Sequence, residues 1–228
     1  MKSLGPSPVL PSPSPADFQS DPLPRRKVVR RMKEALVKSI ILSGAPRVTQ
    51  ASFALNDALE PGDRDSSFVR EGLELGEDLA RRGNESRRRI YRDNSPLTGD
   101  TAAAMMDIGR RHFLILLGAL YQSFKDWISS NFTYGVILSP ISETTASAPL
   151  TLAETEMVVL SCLISQQAGR EARWHFRGSL WNGLSEDEIE SIQYAIETVA
   201  AECGVDVKSG MPRVHDLTEE EKQGRSKL

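Results

Sequence analysis

Three side chains in this sequence have the types and spacing to move protons: Glu156, Glu171 and His175. Glu171 and His175 stand four residues apart, so on a helix they share a face. Glu156 lies nineteen residues before His175, within the preceding helical pattern, and an antiparallel helix pair would bring all three together. An imidazole exchanges protons near neutral pH, and a carboxylate beside it sets its tautomer and charge. A neutral carboxylic acid in an apolar pocket can donate a proton as well. The same spacing also fits a plain surface ion pair on one helix. A metal is the third possibility for this trio. The chain has no HExxH and no paired histidines, so we expect no metal.

These residues fall in the stretch Leu152 to Cys203, which the rest of the chain must position. Two helical patterns are followed by a turn, Trp181-Asn182-Gly183, and then by a third helix that opens Ser185-Glu186-Asp187-Glu188. A serine with an acid three residues on is a capping box, and it marks the start of that helix.

The stretch resembles the carboxymuconolactone decarboxylase and alkylhydroperoxidase-D-like family. The matching residues are Glu156, Glu171 and His175, Gly178-Ser179-Leu180, Asn182-Gly183-Leu184 and the acidic start Glu186-Asp187-Glu188-Ile189, with Tyr134-Gly135 extending the match upstream. The resemblance implies an all-α fold, a multi-helix alkylhydroperoxidase-D-like (carboxymuconolactone decarboxylase-like) domain, and assembly as a homo-oligomer. It also implies that Asn182 and Trp181 border the substrate. Trp181 stands where the family often has a small or polar residue, so its indole would reshape the pocket and the family's substrate does not carry over.

Within that family the peroxidase branch carries cysteines at the positions of Ala168 and Glu171, and this chain therefore lacks the two-thiol cycle. Its acids and histidine match the decarboxylase branch. The resemblance accordingly implies a cofactor-free lyase acting on a small or acyl-derived organic acid, with His175 as the principal acid or base and Glu171 and Glu156 as partners. Two other functions stay open. One is a non-catalytic binding or scaffold protein of the same fold; the other is a thiol-dependent peroxidase that uses Cys162 alone.

Composition narrows the setting. The 228 residues carry a net charge of -3, with 39% hydrophobic and 26% charged residues, which fits a soluble globular protein and gives no reason to expect nucleic acid as a partner. No apolar run approaches the roughly 18 residues that a membrane span needs. The two cysteines, Cys162 and Cys203, belong to no CxxC and fit a reducing interior. The last three residues, Ser226-Lys227-Leu228, have the form of a receptor-read peroxisomal address. At ordinary residue frequencies a chance match at that place should occur well under roughly one time in a thousand. The expected location is therefore the peroxisomal matrix, with the import receptor as a partner through this tripeptide.

In chain order, residues 1–24 carry seven prolines among serines and read as a disordered arm without a signal-peptide core. One helical domain is expected over 25–204, and a polar tail containing His215 over 205–228. Spacings of four predict a helix from Arg25 to Gly44, whose basic residues read as a solvated face. A short helix follows over Val48 to Leu59. The next is predicted over Ser66 to Arg82, with Gly83-Asn84 as its exit. Arg87-Arg88-Arg89 reads as a surface run. Thr101 to Phe132 is the longest helical stretch, apolar nearly all round between Phe113 and Leu120 and so suited to a core or a subunit contact. His112 lies beside it, and Ser139 to Pro149 reads as a loop.

Overall fold

The computed structural model describes residues 22–65, 67–92, 127–141 and 148–223. These residues are helical throughout, joined by turns, with no strand among them. The proline-rich arm up to residue 21, the Phe113 to Leu120 stretch with His112, and Ser226-Lys227-Leu228 lie outside the described residues. The chain divides into two compact units, one ending at Phe68 and the other beginning at Val69. No such boundary is visible in the sequence.

The first unit pairs α1 (Pro22–Ser43) with α2 (Ala45–Ala58). Gly44 joins them at φ 84°, ψ 146°, a conformation open to glycine and closed to side-chain-bearing residues. The basic residues of α1 do more than meet solvent. Arg25 binds Asp63 at 2.7 Å, Arg26 the Gly62 carbonyl at 2.7 Å, and Arg30 Asp65 at 2.8 Å. Lys33 reaches the carbonyls of Asp65 and Ser67. Together they fasten the segment around the short 3-10 turn Pro61–Asp63 along α1.

The second unit holds α3 (Glu77–Tyr91), α4 (Ile128–Leu138), α5 (Leu152–Ser165), α6 (Gly169–Trp181), α7 (Glu186–Glu202) and the short α8 (Glu219–Lys222). The start of α3 corrects the expectation for this region. Residues 67–76 lie outside any helix, with a turn at 69–72, and Gly83-Asn84 lies in the middle of the helix instead of ending it. The reason is tertiary: α3 crosses α4 so closely that a β-carbon on Gly83 would strike the Ser130 carbonyl and lie 2.7 Å from the Gly135 nitrogen. The glycine that weakens an isolated helix is what this crossing requires.

Helix α4 is wound wide, with i→i+5 bonds such as Ser139 N to Tyr134 O at 2.9 Å. It runs on through Tyr134-Gly135 to Leu138, past the predicted end at Phe132. Arg70 donates to the carbonyls of Val136 and Ile137 at its C-terminal end, the end where a cation is favoured.

Helices α5 and α6 form the pair expected from the sequence. Thr151 caps α5 in a capping box with Glu154, and Ser185 caps α7 with Glu188; each such cap contributes about 1 kcal/mol. Ile90, Leu160, Ile164, Phe176 and Ile189 are completely buried, each worth roughly 1.5–3 kcal/mol by transfer from water. The segment after Gly204 is less of a loose tail than its polarity suggests, because Val207, Met211, Val214 and Leu217 are all buried.

Candidate functional site

Glu156 lies on the second turn of α5 and His175 in the middle of α6, so packing these two helices brings the side chains together. Glu156 Oε2 stands 2.8 Å from His175 Nδ1, with Glu156 fully buried and His175 6% exposed. The other ring nitrogen, Nε2, lies 2.9 Å from the Tyr91 hydroxyl at the end of α3. The Tyr134 hydroxyl on α4 donates to that of Tyr91 at 2.8 Å. Four elements thus contribute one side chain each to a continuous hydrogen-bonded chain. Ring packing holds it: Tyr91 meets Tyr134 edge-on at 6.1 Å and His175 at 5.4 Å.

A phenol has a single proton, and Tyr91, which accepts from Tyr134, has its own available for His175 Nε2. In the neutral ring protonated at Nδ1, Nε2 accepts that proton and Nδ1 donates to the Glu156 carboxylate. Burial pushes the Tyr91 phenol well above its usual range, with further upward pressure from Tyr134 and Glu156. Burial also raises Tyr134, to about 12, while Arg87 pulls both phenols downward. Both phenols are protonated at neutral pH.

Close approach makes this geometry possible. Gly178 on α6 lies against Glu156 and Ile90, and the absence of a side chain there lets α3, α5 and α6 converge. Two further polar atoms in the buried region, Glu156 Oε1 and Ser179 Oγ, make no protein hydrogen bond.

The other expected site residues are placed differently. Glu171 is exposed on the first turn of α6. Both ring nitrogens of His175 are already engaged by Glu156 and Tyr91, which leaves Glu171 no position on the ring; as an acid in a first turn it suits the helix dipole. Asn182 caps α6, donating to the Gly178 carbonyl at 2.8 Å and the Arg89 carbonyl at 3.1 Å. Trp181 donates to the Lys222 carbonyl at 2.6 Å and lies under the Arg92 guanidinium, with 4.4 Å to the ring centroid. Both residues therefore serve as ties between elements. Arg173, on the α8 side of α6, binds Glu221 through two guanidinium nitrogens at 2.9 and 2.7 Å. Cys162 is a buried free thiol and Cys203 an exposed one. Among the described residues no three His, Cys, Asp or Glu side chains converge as a metal site would need.

Tyr91 is the member of the chain that sequence reasoning missed. It lies 84 residues from His175, and no local spacing links the two. The Tyr134-Gly135 pair did stand out, though without a partner.

One curated protein, Peroxisomal protein 2 of Schizosaccharomyces pombe (strain 972 / ATCC 24843), is similar to this chain. The two are 25% identical over 178 residues, which cover 78% of this chain and 72% of the relative. No protein-family model and no solved structure matches the chain.

Proposed function

We propose that this chain is a peroxisomal protein whose Glu156–His175 pair performs cofactor-free acid–base chemistry, as a decarboxylase-like lyase acting on a small or acyl-derived organic acid. The observation that carries this reading is the buried 2.8 Å contact between Glu156 and His175 Nδ1. A carboxylate in that position fixes the imidazole tautomer and stabilises the imidazolium that forms when the ring takes up a proton. Loss of carbon dioxide leaves an electron pair on carbon, and a held proton is what that carbon needs next. The resemblance to the carboxymuconolactone decarboxylase family supports the reaction class. The likeness to Peroxisomal protein 2 supports the location, as does the sequence Ser226-Lys227-Leu228.

A binding protein without catalysis is the second reading. It is favoured by one observation: both nitrogens of His175 are already engaged by protein groups.

One experiment separates the two. Purified protein and a His175→Gln variant are incubated with a peroxisome-enriched metabolite extract and followed by mass spectrometry. Consumption of a compound by the wild type alone, with a product lighter by carbon dioxide, supports the lyase and names its substrate. Retention of one compound by both proteins without conversion favours the binding protein. Removal of Ser226-Lys227-Leu228 from a fluorescent fusion should disperse it from peroxisomes; unchanged localisation would count against the address.

A further inference from the structure

We propose that the outer face of α2 is a self-association surface, on which a second copy of this chain docks antiparallel, with Arg47 of each copy against the partner's Asp57. The proposal is independent of the acid–base reading, and the face differs from the Phe113 to Leu120 stretch that the sequence suggests for a subunit contact.

The first observation is how little of α2 its own chain covers. Of its 14 residues only Val48 is buried and Leu55 half-buried; the other twelve are exposed. Phe53 is 65% exposed. Across the first unit, Val29 and Val48 are the only buried apolar side chains among the described residues. A helix of this length is marginal in water on its own, and a two-helix unit with so small a core is stabilised by covering more of its surface.

The second observation says what covers it. Val48 and Leu55 mark the covered side of α2, whereas Arg47, Gln50, Ala54 and Asp57 line up on an exposed face. Their spacing of three, four and three residues is that of a seam between two helices. Arg47 and Asp57 stand near its two ends, about 15 Å apart along the axis. Neither forms an ion pair or a side-chain hydrogen bond among the described residues. On α1, by contrast, Arg25, Arg30 and Lys33 are tied to the Asp63 and Asp65 region.

Laid antiparallel on itself, this face is complementary along its length. Arg47 meets the partner's Asp57, Gln50 meets the partner's Ala54, and a two-fold axis repeats both contacts. Ala54 is small enough to let the two helices approach closely. Phe53 lies on one flank of the seam near the axis, so the two rings cover each other and lose the exposure they have in a single copy. A partner of one charge sign would suit one end of the face and oppose the other.

The same geometry sets the strength. Each copy offers a strip about 21 Å long and one helix wide. That falls short of the roughly 1,200–2,000 Å² buried by a standard stable interface. The association is therefore weak and depends on protein concentration.

The test follows the full chain by sedimentation equilibrium over a concentration series. The wild type should pass from one copy toward two as concentration rises. Arg47→Glu sets acid against acid at both ends, and Asp57→Arg sets base against base. Symmetry counts each change twice, so each should weaken association by about tenfold or more. Phe53→Ala should weaken it too. All three side chains are exposed in the single copy, so helical circular dichroism should match the wild type.

The sharpest sample mixes equal amounts of the two reversal variants. At these two positions the Arg47→Glu chain presents only acids and the Asp57→Arg chain only bases. The mixture should form mixed dimers although each variant alone associates poorly. Both reversals in one chain should restore association to near the wild-type level. Misfolding cannot produce such a rescue. A wild type that stays monomeric throughout the series overturns the proposal. So does a dimer that the reversals leave unchanged, or a loss that mixing fails to restore, since the second copy would then sit on another face.

Discussion

Gly178 and Glu156 are in contact across the α5–α6 interface: a β-carbon at residue 178 would lie 2.8 Å from Glu156 Oε2, the oxygen that binds His175. The same β-carbon would come within 3.0 Å of both Cγ2 and the carbonyl oxygen of Ile90, the residue before Tyr91. A single missing side chain thus sets the distance between the acid, the histidine and the end of α3. Backbone and a fully buried carboxylate are poor at moving aside.

Gly178→Ala should therefore do two things at once. Overpacking at a buried contact costs about 1–3 kcal/mol, which chemical denaturation will read as a lowered midpoint. The histidine NMR signal of Nδ1 should also shift, because Oε2 must move away from it. A variant with wild-type stability and an unshifted His175 signal would show that the contact yields without disturbing the pair.

His175→Ala removes the hydrogen-bonding partner of a fully buried carboxylate. Breaking one half of a buried pair costs about 3–5 kcal/mol because the other half is left uncompensated. Adding Glu156→Gln in the same chain removes that charge and should recover part of the loss. Denaturation of both single variants and the double variant gives the coupling directly. Simple additivity would mean that the two side chains stabilise the fold independently.

Much of this was legible in the sequence where the signal was local. The apolar period and the Ser185 to Glu188 box place the helices between Leu152 and Cys203, and nineteen residues is a natural distance for facing positions on a helix hairpin. What escaped was long-range. Tyr91 has no sequence relation to His175, since only the packing of α3 on α6 joins them. Gly83-Asn84 reads locally as a stop, whereas the crossing with α4 requires a glycine inside the helix. The basic face of α1 reads as solvated because Asp63 and Asp65, its partners, lie more than thirty residues away. Glu171 shares a helix face with His175 by number, but burial separates them: one lies inside the interface and the other at its edge.

The two thiols should differ in reactivity. Cys203 is exposed at the end of α7, and Cys162 is buried on α5. An alkylating reagent should modify Cys203 readily in the native protein and reach Cys162 only on unfolding, as peptide mass spectrometry can show. Rapid native labelling of Cys162 would revive a thiol-based activity for this chain.

The clamp on α8 gives the protein a defined response to acid. Hydrogen bonds from Arg173 hold the Glu221 carboxyl down, against the opposing effect of burial, from an ordinary 4.5 to about 2. The Thr218 backbone N–H adds to this at 2.9 Å. A carboxyl whose pKa is lower in the folded than in the unfolded protein stabilises the fold fully above the unfolded value, and that contribution fades as the pH falls through the folded value. The affected window therefore runs from about pH 4.5 down to about 2. Glu221→Gln keeps the shape of the side chain but lacks the ionisation, so it should lower the urea midpoint at pH 6. The gap between variant and wild type should then close progressively toward pH 2. Because other carboxylates titrate equally in both proteins, the difference between the two curves isolates this one. A gap that stays constant with pH would mean that Glu221 contributes through its shape alone, and that the charge on Arg173 has no part in holding α8 against α6.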